Sequence, residues 1–175
     1  SRTGCPAFLS KFIVIGGIAV EEAPGMSAPQ ALEALQVCYH EFVRKLEDCR
    51  VSSMGEAMGF FFRVQGNPKV GYAVEEFNGI VTGRVAALAE QLALCPAKEA
   101  GELAGQALEL MLFYPQPKDN TISFSLTAFE GHALPLVPFL SEQARQETAR
   151  HYARRTPPRR MLPNQKKLWK ELSQL

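Results

Sequence analysis

Between Ser27 and Arg50 the apolar residues Leu32, Leu35, Tyr39, Phe42, Leu46 and Cys49 recur in steps of three and four. Only a helix gathers such positions onto one stripe. Glu33, Gln36, His40, Arg44 and Glu47 keep the same rhythm on another face. One side of this helix is therefore solvated, and the other requires a surface to pack on. Ser27 offers an N-cap oxygen, and Pro29 falls in the first turn, where a missing N–H does no harm.

The segments around this helix read as strands. Phe12-Ile13-Val14-Ile15, followed by Gly16-Gly17 and Ile18-Ala19-Val20, forms the apolar part of Phe8–Val20. Continuous apolarity of this kind predicts a central strand buried on both faces. Met58–Gln65, the turn Gly66-Asn67-Pro68 and the alternating Val70, Tyr72 and Val74 predict a β-hairpin. Further on, Ile122, Phe124, Leu126 and Ala128 alternate with Thr121, Ser123, Ser125 and Thr127, the period of a half-buried strand.

Gly79 to Leu94, apolar on most sides, predicts a buried helix. Cys95-Pro96 breaks it, and Ala97–Phe113 continues as another. Ser141–Arg155 reads as helical until Thr156-Pro157-Pro158 stops it, and Asn164 is placed to cap a last helix. The order β-α-β-β-α-α-β-α predicts an α+β fold, an antiparallel sheet of about four strands with helices on one face, akin to the ferredoxin-like split βαβ arrangement. Residues 1–140 make the α+β globular domain in this reading, and residues 141–175 a basic C-terminal helical arm.

A chain of 175 residues, 46% apolar and 21% charged, can bury a core of its own. Its longest apolar run, Phe12–Val20, is about half of what a membrane-spanning helix needs. Ser1-Arg2-Thr3-Gly4 lacks the pattern of a signal peptide and an initiator Met, which reads as a processed or trimmed end. Cys5, Cys38, Cys49 and Cys95 include no C-x-x-C pair. Cys38 and Cys49 share a helix face roughly 16 Å apart along its axis, too far for a disulfide. Free buried thiols and an intracellular, cytoplasmic location are the expectation.

Motifs for chemistry are scarce. Gly16-Gly17 follows a strand but lacks the spacing of a phosphate-binding loop. His40-Glu41 is followed by Arg44 where a zinc helix would place its second His. No cofactor or metal is expected. Glu130-Gly131-His132 lies beyond the last alternating run, and His132 has the side chain that titrates near neutrality. These two residues are the candidates for an acid–base site, although the sequence places no nucleophile beside them.

Val70-Gly71-Tyr72-Ala73-Val74-Glu75-Glu76-Phe77 resembles the RNP1 strand of RNA-recognition-motif domains, whose aromatic residues stack on bases. Gly71, Tyr72, Ala73 and Phe77 match, whereas Val74 and Glu75 replace the expected aromatic and aliphatic pair. In the companion strand, Ile13 to Ile18, Val14 stands where a stacking aromatic belongs. The resemblance implies RNA binding on a sheet. The reading preferred from the residues alone is that Tyr72 and Phe77 pack the hairpin.

Charge carries the strongest functional signal. Residues 145–175 hold nine basic and two acidic residues, a net +7, against −6 for residues 1–144. Arg150, Arg154, Arg155, Arg159, Arg160, Lys166 and Lys167 supply most of the excess. Leu168, Trp169 and Leu172 add an apolar stripe at helical spacing that calls for a protein surface. The expectation is a non-catalytic interaction or assembly protein, docking a protein partner or a second copy of itself through these residues. The first alternative is a nucleic-acid-binding protein whose arm grips the phosphates of RNA or DNA. An enzyme acting near Glu130 and His132 is the second.

Overall fold

The computed structural model describes residues 12–15, 18–21, 25–48, 68–114, 126–127 and 129–174, with side-chain detail for residues 25–45, 47, 75–114, 126–127 and 129–174. These residues are overwhelmingly helical. Strand β1 (Phe12–Ile15) pairs antiparallel with β2 (Ile18–Glu21), Ile13 opposite Val20 and Ile15 opposite Ile18. The expected central strand is thus a two-stranded hairpin, and it contains the only strands among the described residues.

Helix α1 (Ala28–Asp48) follows the predicted stripe: Leu32, Leu35, Tyr39 and Phe42 are all buried. Its start is a reciprocal cap. The Gln30 backbone N–H donates to Ser27 Oγ at 3.4 Å, and the Ser27 N–H donates to Gln30 Oε1 at 3.0 Å. Helix α2 (Pro68–Leu92) packs along α1. Phe42 stacks on Phe77 at 4.0 Å, and Phe129 meets Phe77 edge-on at 4.9 Å. Lys45 Nζ bridges the two helices to Glu76 at 2.7 Å.

The α+β prediction is overturned here, and with it the four-stranded sheet. Val70, Tyr72 and Val74 lie in α2, so they form no hairpin arm, and the platform implied by the RNA-recognition-motif resemblance is not found among the described residues. The physical reason is that Val70, Val74, Phe77, Val81, Val85, Leu88 and Leu92 also recur in steps of three and four. Pro68 opens that helix at a position where proline is tolerated. Phe77 to Leu92 form one buried stripe, while Thr82, Gly83, Arg84 and Ala86 are exposed, so α2 is buried on one side only. Leu126 and Thr127, at the end of the last predicted strand, are helical. Met58–Gln65 and Ile122–Ser125 lie outside the described residues.

Helix α3 (Ala97–Leu112) turns Ala100, Ala104, Ala107, Leu108 and Met111 inward. The 3-10 segment Glu130–Phe139 then runs through the middle of the molecule, touching α2, α3 and the last helix. Its prolines, Pro135 and Pro138, lack the N–H an α-helix would use, and three-residue periodicity aligns Ala133 and Leu136 toward the core. A Cβ on Gly101 would lie 3.3 Å from the Phe139 carbonyl oxygen, so α3 approaches the 3-10 segment closely there and a larger residue would press on its backbone.

Helix α4 (Glu142–Arg155) is capped by Ser141, whose Oγ accepts from the Ala144 N–H at 3.1 Å. A 3-10 turn, Pro158–Arg160, leads to α5 (Pro163–Ser173). Asn164 is not its cap. Leu162 precedes the helix, and its N–H donates to Gln165 Oε1 at 2.9 Å. Ala149, Tyr152, Leu168 and Leu172 join the same hydrophobic core as α1 to α3.

Candidate functional site

Glu130 fixes how the C-terminal residues meet the body. Its carboxylate is 2% exposed and begins the 3-10 segment. Tyr152 Oη donates to Glu130 Oε2 at 2.5 Å, Gln165 Nε2 donates to the same oxygen at 2.8 Å, and the Arg155 guanidinium pairs with Oε1. Helices α4 and α5 thereby converge on one buried charge. Burial, and then the Glu130 carboxylate beside it, pushes the Tyr152 phenol far up, so it stays a donor. A Cβ on Gly131 would come within 3.1 Å of Asn164 Cβ, which shows how closely α5 seats here.

This docking decides what the basic residues present. Leu168 and Leu172 are wholly buried, and Trp169 packs partly against the core. The apolar stripe of the arm faces the protein's own interior. Arg155 is committed to Glu130 and lies over the Phe113 and Tyr152 rings at 5.6 and 5.3 Å. Arg150, Arg154, Arg159, Arg160, Lys166 and Lys167, with Lys170, remain exposed.

Five of these exposed cations line three surface clefts, and Arg159 and Arg160 line none of the three. Lys166, Lys167 and Lys170 line one with Met161 and Pro163, and no acid shares it. Lys167 also borders a second cleft, floored by Leu134, Val137 and Pro138 and walled by Arg145. Arg150 and Arg154 flank a third beside His151, which stacks on Phe113 at 3.9 Å, but Glu109 and Glu147 line it too. Arg145 carried no signal at the sequence level beyond its charge; its part in a cleft follows from how α4 meets the 3-10 segment.

Glu130 and His132 do not act as a pair. Glu130 points to α4 and α5, whereas His132 Nε2 lies 2.8 Å from Asn78 Oδ1 on α2 and its ring stacks on Phe129. Burial holds the His132 imidazole below its ordinary range. No cluster of three metal-ligating side chains occurs among the described residues, and none of their helices is long and apolar enough to cross a membrane.

The cysteines differ from the expected set of free thiols. Cys38 is free and buried, and burial raises its thiol to about 11. Cys95 is disulfide-bonded, so its 3.3 Å approach to the Gln91 carbonyl is a sulfur–oxygen contact without a donated proton. Comparison with protein-family models, curated proteins and solved structures finds no match to this chain.

Proposed function

We propose that the protein is a non-catalytic interaction module that docks an acidic protein partner on the basic face formed by α4, the Pro158–Arg160 turn and α5. One observation carries the reading: the arm turns its apolar stripe inward and leaves its cations outward, with Lys166, Lys167 and Lys170 lining a cleft free of acids. The leucines no longer argue for a partner, because the body supplies their surface. The charge does, and it gains an apolar neighbour in the Leu134, Val137 and Pro138 floor that Lys167 adjoins.

Nucleic-acid binding remains the second reading, supported by Arg150 and Arg154 beside the Phe113–His151 stack. Nothing comparable supports an enzyme, since Glu130 and His132 are both engaged with structural partners. The intracellular location expected from cysteine spacing is kept only for a chain whose four thiols all titrate; a bridged Cys95 favours an oxidising compartment.

The test compares a labelled Glu-rich peptide with generic single-stranded RNA at low ionic strength. The proposal expects peptide binding that weakens with salt and is lost in the triple charge reversal Lys166→Glu, Lys167→Glu, Lys170→Glu. Absence of peptide binding refutes it, and RNA binding abolished by Arg150→Glu with Arg154→Glu establishes the second reading instead.

A further inference from the structure

Two buried side-chain atoms among the described residues lack a hydrogen-bond partner, Tyr39 Oη and Arg145 Nε. Tyr39 sits in the core, out of reach of any ligand. Arg145 instead lines the cleft between the 3-10 segment, α4 and α5. The Nε itself is out of solvent; what the cleft meets is the rest of a guanidinium that bridges to no carboxylate among the described residues, and a carboxylate suits that group best, through the paired geometry that arginine offers.

Next to that group the cleft is apolar in part, with Lys167, Glu171 and Gln174 completing its lining. Leu134, Val137 and Pro138 form its floor. A ligand that fills it must present an aliphatic group and a carboxylate side by side. Nucleic acid carries phosphates but no aliphatic side chain. Lys167 belongs both to this cleft and to the lysine cleft, so one extended segment can cross from one to the other.

We infer that this cleft is the anchor of the interface and takes an aliphatic residue flanked by an Asp or Glu side chain, within an acidic segment of a partner protein. The inference rests on the proposed docking of an acidic partner and adds the chemistry that selects it. Arg145 receives the flanking carboxylate, the proline-containing floor receives the aliphatic group, and the lysines hold the carboxylates that follow.

The experiment titrates two labelled peptides, a Glu-rich one with a single central Leu and its Leu→Ser counterpart, onto the full chain. Each is made with a free and with an amidated C-terminus. The Leu peptide is expected to bind roughly tenfold more tightly, a factor matching loss of one buried aliphatic group. Amidation should change nothing. Arg145→Lys, which keeps the charge and loses the paired donors, should weaken both peptides several-fold, since both carry the flanking carboxylate, and leave the melting temperature near that of the unaltered chain. Equal affinity for the two peptides, or affinities untouched by Arg145→Lys, overturns the anchor. If both peptides then still respond to the lysine reversals, docking of an acidic partner stands without it; if neither binds, both fall. A preference that vanishes on amidation also overturns the inference, because the carboxylate would then be a chain end.

Discussion

Two tyrosines make opposite use of the same hydroxyl. Tyr152 Oη donates to a buried carboxylate, while Tyr39 Oη is buried and has no partner among the described residues. Tyr152→Phe should therefore destabilise the protein by about 2 kcal/mol, as a lost hydrogen bond to a charged group does. Tyr39→Phe should be neutral or stabilising by up to about 1 kcal/mol, since it removes an unpaired polar group. Urea denaturation of the two variants checks this, and equal losses would mean that Tyr39 has an acceptor. His132 yields a pH prediction. Burial lowers its folded-state value from the ordinary 6.5, so the unfolded chain takes up the proton first. Stability is fully present above that ordinary value and declines as pH falls from it toward the folded value. His132→Gln should flatten the acid limb of a stability-against-pH curve; an unchanged limb would clear His132 of this role.

At the level of elements, Glu130 is the residue on which the arm depends. Removing the charge from one partner of a buried pair strands the other, and such changes cost about 3–5 kcal/mol. Glu130→Gln should lose stability on that scale, read by chemical denaturation, and should speed amide exchange in α4 and α5 more than in α1. Leu172→Asp, which would seem a direct test of partner docking, instead places a charge in the core and reports on folding. How much of this was legible varies by element. The α1 stripe has a single period, and the sequence reading of it carried over to the structure. Residues 70–74 satisfy two periods at once, and so short a stretch does not distinguish them; only its continuation through Phe77 and Val81 does. Pro135 and Pro138 read as interruptions because they forbid an α-helix, yet they suit the 3-10 geometry found. The Arg145 cleft had no signature at all, since its walls come from three separated segments.

For the molecule as a whole, the unequal distribution of charge persists, but its meaning changes with the docking of the arm. A free basic tail would find an acidic body; this one is already fastened by Glu130 and by Leu168 and Leu172. Its outward cations then stay exposed on the surface. The redox state is a property at this scale too, because the surroundings of the whole molecule set it. Alkylation of the unfolded but unreduced chain should label two of the four cysteines if Cys95 is bridged within the chain. Four labels would return the protein to a reducing environment.

The seating of α5 has one more consequence. A partner held by a flexible tail can be captured at a distance and reeled in, with the tail ordering as it binds. A partner held by α5 meets a surface whose ordering was completed when the chain folded. Such a partner would be gripped as by a handle fixed to the body, in one orientation, with little entropy left for the arm to lose at the contact.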